Sequence, residues 1–312
     1  MSTQSASPDL PIGGTSAPER SGGALGPAID TEVGGIDVMD LGAIGYYRSD
    51  AGEGAPVVLI HSINAAASSY EMRPLFEAFR GKRPVYALDL PGFGRSHRGA
   101  RAYTPELYAR AIERFVIDVA SPRSVPVDAV ALSLSSEFLA RVAVRAPALF
   151  NSLTLLSPTG FDGRRRGASP VALRAKLLKL PGLSDGLFAA LGTTASVRYF
   201  LGKSFVGKVD EGLARYAHES ATKVPGAKYA PLAFLSGSLF TPDAEKSLYG
   251  ALQVPTRVIY DQDPYTRFDR LEAVCQANPK VTAAPVRPSR GMAHFEHTAA
   301  VVAEIERQGA KP

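Results

Sequence analysis

Six short apolar runs, each about the length of one strand, recur along this chain with helical stretches between most of them. They are Val57-Val58-Leu59-Ile60, Val85 to Leu90, Val127 to Leu132, Leu153 to Leu156, Thr256 to Tyr260 and Val281 to Val286. A continuous apolar run, unlike an alternating one, marks a strand covered on both faces. The intervening stretches Glu71 to Phe79, Leu107 to Val119, Glu137 to Val144, Arg267 to Ala277 and Ala299 to Ile305 carry apolar residues at helical spacing. One of these helices is announced by Thr104-Pro105, a hydroxyl cap followed by proline in the first turn. Connections of this length exclude hairpins, so the pattern predicts a mostly parallel sheet with helices on both faces. Two further short strands around Gly42, within Val38 to Tyr47, bring the expected total to about eight.

The alternation is interrupted once. From about Thr159 to Leu239 the chain shows helical patterns, for example Val171 to Leu180 and Glu211 to Lys223, and no convincing strand. A helical insertion within one α/β domain accounts for this better than two sequential domains. The expected organisation is a core of residues 31–158 and 246–312, a helical insertion at 159–245, and a disordered tail over residues 1–30, which are rich in Ser, Gly, Pro and Ala.

Composition narrows the function. The 312 residues are 45% apolar and 21% charged, an ordinary globular balance. No window approaches the roughly 18 consecutive apolar residues of a membrane span. The net charge of +5 is spread along the chain except at Arg164-Arg165-Arg166, which reads as a solvated loop because no nucleic-acid motif accompanies it. A single cysteine, Cys275, excludes an internal disulfide and a multi-cysteine metal site. The N-terminal stretch lacks the apolar region of a signal peptide. The chain is therefore expected in the cytoplasm, acting on a small molecule without cofactor, metal or nucleic acid.

The chemistry concentrates at strand ends. The run Val127 to Leu132 leads straight into Ser133-Leu134-Ser135, where a helix begins. A serine at a sharp strand-to-helix turn is raised above the sheet, within reach of a base and a substrate. Small residues are needed two places before and after it, where the two backbones pass close; Ala131 and Ser135 fill those places. A serine that merely caps the helix would give the same local sequence.

His61-Ser62-Ile63-Asn64 after the first apolar run, and above all Leu88-Asp89-Leu90-Pro91-Gly92-Phe93-Gly94-Arg95-Ser96 after the second, resemble the α/β-hydrolase superfamily. The resemblance covers roughly residues 36–310 in order, with the insertion where the family carries its variable cap. It is nearest the capped group with a serine nucleophile, which includes esterases, C–C hydrolases and haloperoxidase-like enzymes. Ser62, Ala131, Ser135 and Ala293 stand where the family usually has glycine.

That resemblance implies an α/β-hydrolase fold and a triad in the order serine, acid, histidine. Ser133 would be the nucleophile and His294, in Gly291-Met292-Ala293-His294-Phe295, the base. Asp263, directly before Pro264, matches the family's acid better than Asp261, which stands where glycine is usual. The backbone N–H groups of Ile63 and Leu134 would form the oxyanion hole. The implied reaction is cleavage of an ester or thioester of a hydrophobic substrate. Insertion aromatics such as Phe188, Tyr199, Phe200, Phe205, Tyr229 and Phe234 would pack the cap or line its pocket. The opposing reading is a catalytically silent relative that binds a ligand or partner through the same cleft.

Overall fold

The computed structural model describes residues 25–121, 125–162 and 182–309. It contains one eight-stranded sheet in the order β1-β2-β4-β3-β5-β6-β7-β8. The strands are β1 Glu32–Val38, β2 Gly42–Ser49, β3 Val57–Ile60, β4 Val85–Leu88, β5 Val127–Leu132, β6 Phe150–Leu156, β7 Thr256–Tyr260 and β8 Val281–Pro285. β2 runs antiparallel to both β1 and β4, and every other pairing is parallel. The eight-stranded, mostly parallel architecture expected from the apolar runs is present.

Each face of the sheet takes alternate side chains, as the strand period of two requires. Val58 and Ile60 of β3 enter one core with helices α2 (Pro105–Phe115) and α3 (Ser135–Arg145). Val57 and Leu59 enter the other with α1 (Arg73–Phe79). All four residues of β3 have no exposed surface, which is why the strand reads as an unbroken apolar run.

Between β6 and β7 the described residues form helices and no strand. These are α4 Leu183–Leu191, α5 Thr194–Lys203, α6 Glu211–Thr222, α7 Tyr229–Ser236 and α8 Ala244–Ser247. The two ends of this segment meet. A Cβ on Gly160 would lie 2.8 Å from the Ala244 side chain, and the Tyr249 hydroxyl donates to Thr159 O at 2.8 Å. The buried Glu137 carboxylate, on α3, accepts from Thr241 N at 2.7 Å and from the Thr159 hydroxyl. The expected helix Val171 to Leu180 and the run Arg164 to Arg166 lie outside the described residues. After β7 come α9 Leu271–Ala277, α10 Ala293–Glu296 and α11 Thr298–Gly309.

Several element ends shift by a few residues from the sequence reading, and three differences have an evident physical reason. Residues 25–30, assigned to a disordered tail, pack against the core: Ile29 is fully buried and Ala28 N donates to the Tyr47 hydroxyl at 3.0 Å. β1 lies earlier than expected, ending where the sequence placed its start, because it pairs along all seven residues with β2. α9 begins at Leu271 and not Arg267, since Tyr265 and Thr266 turn back to cap the Asp263 side chain.

At the start of β5, Asp128 is 2% exposed, ion-paired to Arg83, and accepts from Ser152 Oγ at 2.6 Å and Asn151 Nδ2 at 2.8 Å. Arg83→Met would leave this carboxylate buried without its cation. Stability should fall by about 3 kcal/mol, read as a lower urea midpoint at unchanged slope. Asp128 and Ser133 occupy opposite ends of β5, so turnover per folded molecule should persist.

Candidate active site

The elements that the sequence singled out converge at the C-terminal edge of the sheet. His61 to Ile63 follow β3, Ser133 follows β5, Asp263 follows β7 and His294 follows β8. In an open α/β sheet this edge is where ligands bind.

Ser133 sits at φ +56°, a left-handed conformation that side-chain-bearing residues avoid. The turn is held from both sides. Ser133 N donates to Leu156 O at 2.8 Å, and Ser136 N donates back to Ser133 O at 3.1 Å. A capping serine needs an extended backbone, so this geometry fits the sharp strand-to-helix turn and not the capping alternative. The strain is the kind that persists where surrounding structure over-determines the backbone. Ser135, in a glycine position, is accommodated because its fully buried hydroxyl donates to His61 O at 2.6 Å.

His61 is completely buried; its Nδ1 donates to Ser62 O at 2.6 Å and its Nε2 accepts from Leu90 N at 2.9 Å. The ring therefore ties the loop after β3 to the loop after β4. That second loop winds around the Asp89 carboxylate, which accepts from Ser69 N and Arg95 N, each at 2.8 Å. Gly94, at φ +49°, allows the wrap: a Cβ there would fall inside the Asp89 carboxylate. The Asp89 to Ser96 signature thus ties the loops at this edge of the sheet to one another.

His294, on α10, is also fully buried. Its Nε2 donates to Glu71 O at 2.7 Å, while Nδ1 has no hydrogen-bond partner among the described residues. Burial pushes the imidazole down to about 4, only partly offset by the bond to Glu71. Asp263 Oδ1 accepts from Tyr265 N at 2.7 Å and Thr266 N at 3.1 Å. Its Oδ2 faces the histidine loop: a Cβ on Gly291 would lie 2.7 Å from it. Burial raises this carboxyl to about 6 despite those two amides. Asp261 is turned elsewhere, accepting from Ser289 N at 2.9 Å and pairing with Arg287 Nε at 3.2 Å.

The structure thus brings Asp263 to the loop that carries His294. Among the described residues, however, no hydrogen bond joins Ser133, His294 and Asp263 to one another. Ile63 and Leu134 are both buried, and neither backbone N–H has a protein acceptor among the described residues. The helical segment after β6 closes over the histidine loop. Phe205 meets Phe295 edge to face at 5.6 Å, and Val206 N and Gly207 N donate to Glu296 Oε1 at 2.8 and 2.7 Å. Of the six insertion aromatics, Phe205 makes this contact; Phe188 packs with Ala221 and Ala227, and Tyr199 and Phe200 are exposed.

Glu71 escaped the sequence reading, in which it only opened a helix. It lies in a 3₁₀ turn, Ser69–Met72, with its carboxylate 3% exposed beneath the loop after β3. An acid among residues otherwise fit for burial was the available signal. Among the described residues no three His, Cys, Asp or Glu side chains converge as a metal site would require. No helix among them is long and apolar enough to cross a membrane.

The alpha/beta hydrolase family profile matches residues 57–305. The chain belongs to the alpha/beta hydrolase family. It is similar in structure to the CarC serine hydrolase involved in carbazole degradation, with a TM-score of 0.67 and 20% identity over 85% of this chain and 93% of that one. It is also similar to carboxylesterase CesB from Bacillus subtilis, with a TM-score of 0.66 and 16% identity over 90% and 92%. A third solved relative is haloalkane dehalogenase DbeA from Bradyrhizobium elkani, with a TM-score of 0.65 and 15% identity over 89% and 99%. Likeness at these identities defines this α/β-hydrolase fold and not the reaction. No curated protein matches the chain in sequence.

Proposed function

We propose that the protein is a serine hydrolase that cleaves an ester or thioester of a small to medium hydrophobic substrate, with Ser133 as nucleophile, His294 as base and Asp263 as acid. The observation that carries this reading is the strained backbone of Ser133 at the end of the central strand β5. A strained residue in a fold needs a use, and raising a nucleophile above the sheet is one. His294 takes the serine proton as Oγ attacks the carbonyl carbon, and the N–H groups of Ile63 and Leu134 receive the developing oxyanion. Imidazolium then returns the proton to the leaving group, and water repeats the sequence on the acyl-enzyme. To act, the ring must release Glu71 O and adopt the Nδ1–H tautomer. An ionised Asp263 would favour that tautomer by accepting the Nδ1 proton; catalytic hydrogen bonds are often open in unliganded sites.

The hold of Glu71 O on His294 favours a second reading, a member of the fold that binds a ligand and does not turn it over. A fluorophosphonate probe separates the two. The hydrolase should be labelled, and Ser133→Ala should not. Absence of labelling on the folded wild-type protein would leave the binding reading standing.

The pH profile gives an independent check. Turnover requires Asp263 ionised and His294 neutral, and of the two the carboxyl, raised to about 6, changes state later as pH rises. The acid limb of kcat/KM should therefore lie near pH 6, as an apparent value of the coupled pair. A limb near 4 would show that Asp263 is not the controlling group.

A further inference from the structure

We propose that Glu71 is a positioning residue that aims the Ile63 N–H at the oxyanion, an inference that rests on the hydrolase reading above. Its carboxylate straddles Ile63 in sequence. Oε2 accepts from Ser62 N at 2.8 Å, and Oε1 accepts from Ser62 Oγ at 3.1 Å and Asn64 Nδ2 at 2.7 Å. Asn64 Nδ2 also reaches Ser62 Oγ at 2.9 Å, and Asn64 Oδ1 accepts from Ala66 N at 2.7 Å. Both neighbours of Ile63 are thus fixed to one buried carboxylate, while the N–H between them has no acceptor among the described residues.

No cation among the described residues forms an ion pair with Glu71, so the carboxylate is not half of a salt bridge that happens to lie nearby. Its polar contacts are the donors of the loop after β3. Serine at 62 then has a purpose that glycine could not serve, since its hydroxyl supplies one of the three bonds to the carboxylate. The backbone carbonyl of Glu71 holds His294 Nε2, so the turn Ser69–Met72 contacts both the oxyanion loop and the base. The Glu71 carboxylate touches no reacting atom; it acts through the amide it orients.

Glu71→Gln keeps the shape but presents an N–H₂ to a set of donors, so one arm of the clamp must open. A donor fixed in advance is worth up to about 10²–10³ in kcat, and loosening one should cost about 10–100-fold in kcat with KM held within about threefold. The discriminating readout is a matched pair of substrates, an ester and its thionoester, whose sulfur accepts hydrogen bonds weakly. Glu71→Gln should depress turnover of the ester far more than that of the thionoester. Asn64→Ala, which removes one arm only, should show the same pattern at smaller size. It also carries the test alone if circular dichroism shows Glu71→Gln unfolded. An equal loss on both substrates, or no loss, would overturn the assignment of Glu71 while leaving the hydrolase intact. Wild-type turnover that survives Ser133→Ala unchanged, or is absent, would overturn the hydrolase reading and this inference with it.

Discussion

Ser133→Ala should lower kcat on an activated ester by about 10⁶-fold, the scale on which removing the nucleophile of a serine triad acts. The substitution takes one oxygen from a half-buried side chain and leaves the strained backbone as it is, because alanine at φ +56° meets the same obstruction as serine. The thermal midpoint should therefore move little. That pairing of a large kinetic loss with unchanged stability separates a chemical role from a structural one. Retained turnover of p-nitrophenyl esters by Ser133→Ala would sink the assignment, because the neighbouring hydroxyls of Ser135 and Ser136 are committed to the carbonyls of His61 and Ala131.

The second large effect concerns the acid. Asp263→Asn should reduce kcat by orders of magnitude, up to about 10⁴-fold by analogy with the serine proteases, because asparagine favours the wrong imidazole tautomer. Asp261→Asn should cost far less. Its carboxylate serves Ser289 N and the exposed Arg287, and surface pairs of this kind are worth about 1 kcal/mol at most. Both variants need one substrate and a folding control by circular dichroism. A larger loss for Asp261→Asn would mean that the wrong carboxylate carries the charge.

The sheet was legible where burial writes itself into composition. β3, β5 and β7 begin and end where their apolar runs do, because both faces of each strand are covered. β1 was not legible in this way: Glu32-Val33-Gly34-Gly35-Ile36-Asp37-Val38 has no buried residue and is interrupted by glycines, and it is a strand only because β2 pairs with it along its whole length. Residues 25–30 read as tail by composition. Their order comes from distant partners, the Tyr47 hydroxyl, Arg95 and the Tyr216 hydroxyl. The candidate triad could be placed because each member falls at the end of a recognisable strand. What the ring of His294 contacts could not be, since Glu71 O lies 223 residues away along the chain. Glu71 itself was hidden for a related reason: its bonds are made by a loop whose course no periodicity records.

The pinched neck at Gly160 and Ala244 bears on how such a chain can change over evolutionary time. A loop whose ends already touch owes little to its contour length, since doubling the number of residues between them adds only about 0.6 kcal/mol of closure entropy. Residues can be gained, lost or exchanged beyond that neck without shifting the pairing of β6 with β7, whose register is set below it. The two parts of the molecule can accordingly accumulate change at different rates. The strand ends stay fixed to one another while the helices between β6 and β7 drift, and relatives that share the sheet should diverge most in the number and length of those helices.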